Sequence, residues 1–474
     1  MIFSSLEFVC VFLPAVFALY CLLPGVRCKN ALLIAASLLF YAYGEPTYVM
    51  LMIFSASVNY LFARLAVSLR YQKLLLYLAV IFNLGLLIFF KYTSFVAETW
   101  NWVVGADIEP FEVELPIGIS FFTFQALSYV ADVCQGKIKA QKSFPKVLLY
   151  ICFFPQLIAG PIIKYRDIEE ALTKRRMDLR QISDGMRRFI CGLGKKILIA
   201  NTVGQAADAV FGAGYADINI LAAWLGAASY MLQIYYDFSG YSDMAIGLGQ
   251  MFGFQFRENF RYPYGATSVK EFWQRWHISL SSWFKEYLYI PLGGNRRGKI
   301  RTAANKFTVF FFTGLWHGAN WTFVLWGLFH GFFSALEGWL PFFRKIPKPL
   351  AYVYTMLVVC IGFVMFRAED VMQGIFLIRQ MFVGMPLDND SMSFVLGQLT
   401  PWFLAMALAG LIGMAPIRPL AQRIRDFDGN EAGRLTWRGM AFQAMLDVGA
   451  VLLLFWCIVR LSGHTYNPFI YFRF

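Results

Sequence analysis

Charge is what this chain has least of: Asp, Glu, Lys and Arg make up 15% of its 474 residues, where a soluble domain carries about 25%. That scarcity argues against a water-facing surface over most of the molecule. With 58% hydrophobic and 18% aromatic residues, the composition is that of a multi-pass membrane protein. No Lys or Arg stands in Met1–Glu7 ahead of the apolar run from Phe8 to Leu23. A cleavable signal needs a positive leading segment, so the run is read as a retained span with its N-terminus outside. The eight cysteines form no Cys-x-x-Cys pair, which argues against a zinc or disulfide framework, and no metal site is expected. Gly-x-Ser-x-Gly, Walker and Gly-x-Gly-x-x-Gly patterns are missing, and with them the hydrolase elbow, the phosphate loop and the dinucleotide fold. No repeat and no long Pro/Gly/Ser linker divides the chain, so residues 1–474 are read as one embedded all-α unit of about ten to twelve transmembrane helices.

What is present is a pattern of charge. The net +13 comes from short Lys/Arg clusters between apolar segments, which fits positive-inside orientation and contact with anionic membrane lipid rather than nucleic acid. Arg27 and Lys29 follow the first span, and Gly44-Glu45-Pro46 without positive charge follows the second. Arg64, Arg70 and Lys73 follow the third. A fourth span, about Leu74 to Phe90, leads to an acidic loop (Glu98, Asp107, Glu109, Glu112, Glu114), and a fifth leads to Lys137, Lys139, Lys142 and Lys146. The alternation obeys the positive-inside rule throughout. Val147 to Ile163 breaks it, because Lys164, Arg166, Lys174, Arg175 and Arg176 come next. With two prolines and a glycine at its core, it is expected to be re-entrant, a geometry tolerated only inside protein or along a cavity. Asp178 to Lys196 reads as an amphipathic cytoplasmic helix, and Ile197 to Tyr236 as about two spans. Residues from Asp237 to Arg301 read as a cytoplasmic-side layer. Ala303 to Leu340 should form a hairpin breaking near His317. Further spans are expected around 349–366, 395–416 and 440–461, the middle one followed by Arg418, Arg423 and Arg425 inside.

Four histidines occur, and His317 lies in an apolar run, Phe311 to Trp321. An ionisable ring at membrane depth is by default a functional-site hypothesis, and imidazole is suited to moving protons near neutral pH. His277 lies in a Trp-rich segment where helical spacing would put Trp273, His277, Ser281 and Phe284 on one face, with the Ser281 hydroxyl as a tunnel-lining candidate. His330 sits between Gly327 and Gly331 and is read as packing; His464 is assigned no role. Asp237 and Asp243 end an apolar span, where each could orient a histidine, bind a substrate hydroxyl or cap a helix. With no serine or cysteine motif for a covalent route, direct transfer with His317 as general base is the simplest chemistry. The Trp316 indole or the Asn320 amide could then donate to a developing oxyanion.

Four segments carry a resemblance: Phe154 to Pro161, Tyr236 to Gly247, Trp276 to Ser281 and Leu315 to Gly318. In this order they resemble the membrane-bound O-acyltransferase family along essentially the whole chain. Met1 to Ser5 and Tyr289 to Arg296 are similar to its alginate-acetylating branch, the teichoic-acid D-alanyl transferases being more distant. The resemblance implies a ring of helices around a central tunnel, with re-entrant and interfacial helices and a catalytic region at 230–340. It implies His317 as the catalytic histidine and His277 as a second tunnel residue. It implies no tightly bound cofactor, acetyl-CoA as acyl donor, an extracytoplasmic acetyltransferase partner and a place in the cytoplasmic membrane of the cell. The aromatic tail 462–474 is expected to return into the protein or bind a partner, with Tyr471 as a transient acyl acceptor. D-alanyl or fatty-acyl transfer stays an alternative. A transporter would show repeated halves with interrupted helices, and none is visible.

Overall fold

The structure is a computed structural model that describes residues 1–68, 71–109, 113–384, 388–415, 437–463 and 466–470. Among these residues every regular element is helical. The chain opens with α1 (Leu13–Leu22), α2 (Gly25–Ala42), α3 (Val49–Ser68), α4 (Gln72–Val104) and α5 (Ile119–Cys134). On α4 the apolar side chains of Ile81 and Ile88 lie exposed, a surface that lipid covers without cost. On its inner side Asn83 exchanges two amide hydrogen bonds with Asn59 of α3, at 2.7 and 3.1 Å. Each buried amide thereby satisfies the other, as hydrocarbon requires.

The segment after α5 enters and leaves at the same end. It holds α6 (Phe144–Cys152) and the short α7 (Phe154–Leu157), split at Phe153 ahead of Pro155. It then turns back to α8 (Tyr165–Thr173). Gln141 on the way in donates to the Tyr165 hydroxyl on the way out at 2.8 Å. Lys137 before the segment and Arg166 after it share one carboxylate, Asp132. The basic residues that follow thus stay on the side where the positive-inside pattern puts them, and residues 147–165 are buried throughout.

Next come α9 (Leu179–Gly194), α10 (Asn201–Phe211) and α11 (Ile220–Met251). The cytoplasmic surface helix expected over 178–196 is more than that. Helical turns continue from α9 through Lys195–Ala200 into α10, and the rod packs along α11. A Cβ at Gly192 would stand 2.6 Å from the Gly240 carbonyl and one at Gly240 2.8 Å from that of Gly192, so only glycine lets these backbones meet. Every residue of α11 from 232 to 249 is buried. A helix that carries Gln, Ser and Asp can run through the molecule only because protein, not lipid, surrounds it.

The Trp-rich layer holds α12 (Val269–Arg275) and α13 (Ile278–Phe284); the hairpin of α14 (Gly298–His317) and α15 (Trp321–Trp339) follows. A Cβ on Gly314 would lie 2.3 Å from the Phe323 carbonyl, and one on Gly327 2.3 Å from that of Phe310, so the arms touch backbone to backbone. Then come α16 (Lys348–Arg367), α17 (Val371–Phe382), α18 (Asn389–Gln398), α19 (Pro401–Gly413) and α20 (Trp437–Gly463). The span expected over 395–416 is bent by 64° between α18 and α19, where Pro401 starts a new helix and Thr400 caps it at the Phe403 N–H. The twelve-residue α17 is an element that the sequence reading did not anticipate. Among the described residues, α2, α3, α4, α16 and α20 are each long and apolar enough to cross a membrane, with α18 and α19 together making a sixth.

Candidate active site

His317 is the last residue of α14, where a helix leaves its final carbonyls without intrahelical partners. The polar face of α4 supplies them. Tyr92 donates its hydroxyl to the Leu315 carbonyl at 2.5 Å, and Lys91 donates its ammonium to the carbonyls of Trp316 at 2.7 Å and His317 at 3.1 Å. Aromatic walls hold the imidazole, with the rings of Trp316, Trp326 and Phe366 at 5.0, 5.1 and 5.1 Å. His317, Trp316 and Lys91 line a cavity of about 300 Å³ with Gly118, Phe121 and Ile158. Ile158 is at the tip of the re-entrant segment. It also borders, with Ile117, a second hollow lined by Met1, Gly44 and Glu45, residues that the charge pattern places outside.

The layer carrying His277 differs from the helix expected there. The chain breaks between α12 and α13, and His277 sits in the break with φ 44° and ψ 54°. Left-handed backbone at a non-glycine residue is strained and persists only when its surroundings enforce it. Asn259 does so. Its Oδ1 accepts from the Ser279 N–H at 3.0 Å and from the Ser279 hydroxyl at 2.9 Å, its carbonyl accepts from the Ile278 N–H, and its Nδ2 donates to Ser242. The same Oδ1 lies 3.3 Å from His277 Nδ1. Because this oxygen already serves as an acceptor, it selects the tautomer with the proton on Nδ1 and leaves the lone pair on Nε2. Ser281, expected beside the imidazole, instead donates to the Trp273 carbonyl, because the break turns α13 away. Ser279 takes its place, and its hydroxyl also accepts from Ile162 of the re-entrant segment. The His277 and Trp316 rings are 6.0 Å apart, so one indole neighbours both histidines. Replacing Asn259 with Leu should leave Ser279 unsatisfied and release the strained turn; we expect roughly 10²-fold slower turnover, measured as kcat on the purified variant.

The other candidates have defined places. Asn320 is the N-cap of α15: its Oδ1 accepts from Thr322 N–H at 3.0 Å and its Nδ2 donates to the Glu369 carbonyl at 2.9 Å. Its amide is thus engaged beside a different cavity, lined by Asp208, Gln233, Phe366 and Ile470. Asp237 makes a buried ion pair with Lys196 at 2.5 Å and accepts from the Ile470 N–H at 3.0 Å. Its partners are therefore Lys196 and the tail, and not a histidine. Asp243 is paired with Arg188 and Lys195. His330 packs among Trp273, Trp326 and Phe310. The tail is pinned by Asn467 to Ser4, by Lys196 to the Pro468 carbonyl, and by Phe469 stacked on Tyr241. Tyr471 and His464 lie outside the described residues.

Comparison with known proteins gives this arrangement a family. A model of the membrane-bound O-acyltransferase family matches residues 38–372. The chain belongs to the membrane-bound O-acyltransferase family. It is a multi-pass membrane acyltransferase. A protein named a probable alginate O-acetylase from Azotobacter vinelandii is 37% identical over the whole of both chains. A peptidoglycan O-acetyltransferase of Helicobacter pylori is 36% identical over 80% of each. A teichoic acid D-alanyltransferase of Bacillus subtilis is 30% identical over 53% of this chain and 69% of its own. Within this acyltransferase, sequence reasoning passed over Lys91, Asn259 and Ser279. The signal for Lys91 was present: it is the sole charge between Lys73 and Glu98. A cation at the centre of a span costs about 2.5–3.5 kcal/mol on insertion scales, so it demands a reason.

Proposed function

We propose that this acyltransferase moves an acetyl group from cytoplasmic acetyl-CoA through the cytoplasmic membrane for O-acetylation of an exported polysaccharide. His317 is the general base in this reading, and His277 is a second residue on the path. The observation that carries it is the placement of both histidines against Trp316, where His317 lines a cavity adjoining the hollow at Glu45 and His277 belongs to the layer expected on the cytoplasmic side. Full-length similarity to an alginate O-acetylase supports acetyl over D-alanyl, whose relative matches about half of the chain.

The acceptor hydroxyl gives its proton to a ring nitrogen of His317 as its oxygen bonds the acetyl carbon. The thiolate then leaves and takes that proton. The tail supports a relay: Ile470 is anchored on Asp237 and lines the cavity that Phe366 shares, and the Phe366 ring touches His317. Tyr471, the next residue, would then carry the acetyl group as a phenyl ester to an extracytoplasmic acetyltransferase partner. The test is transfer of label by the full chain in nanodiscs, offered acetyl-CoA, a D-alanyl thioester or a long-chain acyl-CoA. Preference for acetyl-CoA by at least tenfold is expected, and a Tyr471→Phe chain should lose labelling of itself. A preference for either other donor overturns the acetyl assignment.

A further inference from the structure

Lys91 is an unusual cation. It interrupts an apolar helix, and among the described residues its hydrogen-bond partners are two backbone carbonyls rather than a carboxylate. Those carbonyls belong to Trp316 and His317, at the negative end of the α14 dipole, where a positive charge is favoured. An ammonium has three N–H donors in tetrahedral array. Two are spent on α14, and Lys91 lines the same cavity as the His317 ring. Capping alone does not require a charge, since the neighbouring Tyr92 caps Leu315 with a neutral hydroxyl. A formal cation beside a proton acceptor, in a cavity walled by Phe121, Ile158 and Trp316, fits a site where negative charge develops. Of the two oxyanion donors suggested by sequence, Asn320 has its amide on Glu369 and lines another cavity.

We propose that Lys91 stabilises the oxyanion of acyl transfer, an inference that rests on the reading of His317 as general base. When the acceptor oxygen bonds the acyl carbon, its proton passes to His317 and the carbonyl π pair moves onto oxygen. The third N–H of Lys91 donates to that oxygen. Collapse restores the carbonyl, breaks the carbon–sulfur bond of the thioester, and the proton on His317 goes to the departing thiolate. No oxidant or reductant is needed.

The experiment measures release of label from acetyl-CoA by the full chain in nanodiscs, for wild type, Lys91→Gln, Lys91→Arg and His317→Ala. Gln retains N–H donors for the α14 carbonyls but not the charge. The expected result is a kcat for Lys91→Gln lower by about 10²–10³-fold with KM changed less than threefold, and a Lys91→Arg chain within about tenfold of wild type. Lys91→Gln within threefold of wild type overturns the proposal, because a capping role alone is then sufficient. If Lys91→Gln does not fold, Lys91→Arg decides: a folded, active chain supports the requirement for charge, and a folded, inactive one overturns it. The His317→Ala arm separates the two readings. Turnover equal to wild type there removes the general base itself, whereas an inactive His317→Ala beside an unaffected Lys91→Gln removes the role of Lys91 alone.

Discussion

Replacing His317 with Gln is expected to slow acetyl transfer by about 10²–10⁴-fold, the usual contribution of a positioned general base. Gln is close to His in size and can still hydrogen-bond, but it cannot take a proton from a hydroxyl. Three observations make the variant informative. The ring is held by Trp316, Trp326 and Phe366. The backbone at the end of α14 is capped independently by Lys91 and Tyr92. The hairpin is closed by Gly314 against Phe323, a contact that the substitution leaves alone. The chain should therefore fold, insert and bind acetyl-CoA with an unchanged KM while kcat falls. Single-turnover assays in nanodiscs separate the steps, since loss of proton abstraction slows chemistry without slowing donor binding. Turnover equal to wild type would remove His317 from the chemistry.

Much of the fold was legible because membrane insertion writes itself in composition. Apolar runs located α2, α3 and α16, and charge identified the segment around Pro155 as one that does not cross, since a span there would have carried five basic residues outward. What was not legible depends on contacts between distant residues. Asn259 lies eighteen residues before His277 and looks like any loop amide; it matters because the chain breaks at His277 and needs an acceptor to hold the strained turn. Helical spacing put Ser281 beside the imidazole, but spacing assumes an unbroken helix, and the break substitutes Ser279. Lys91 failed for another reason. A span of about Leu74 to Phe90 stops one residue short of it, whereas α4 continues to Val104. The rule that singled out His317, an ionisable group inside an apolar run, applied to Lys91 equally.

Asp237→Asn should be the most destabilising single substitution in the region. The carboxylate and the Lys196 ammonium meet at 2.5 Å with side-chain exposures of 1% and 3%, so removing one charge leaves the other buried without a counter-ion. Breaking such a pair costs about 3–5 kcal/mol, although replacing both members with apolar residues is often close to neutral. The double variant Lys196→Met/Asp237→Leu should therefore be more stable than Asp237→Asn, a sign reversal that no additive account produces. Thermal unfolding of the detergent-solubilised chains measures it; a double variant less stable than Asp237→Asn would show that removing the second charge relieves nothing. Function should follow a different order. Asp237 also holds the Ile470 N–H and Lys196 holds the Pro468 carbonyl, so both variants loosen the tail. If the tail serves the relay, the double variant recovers stability without recovering transfer to the acceptor.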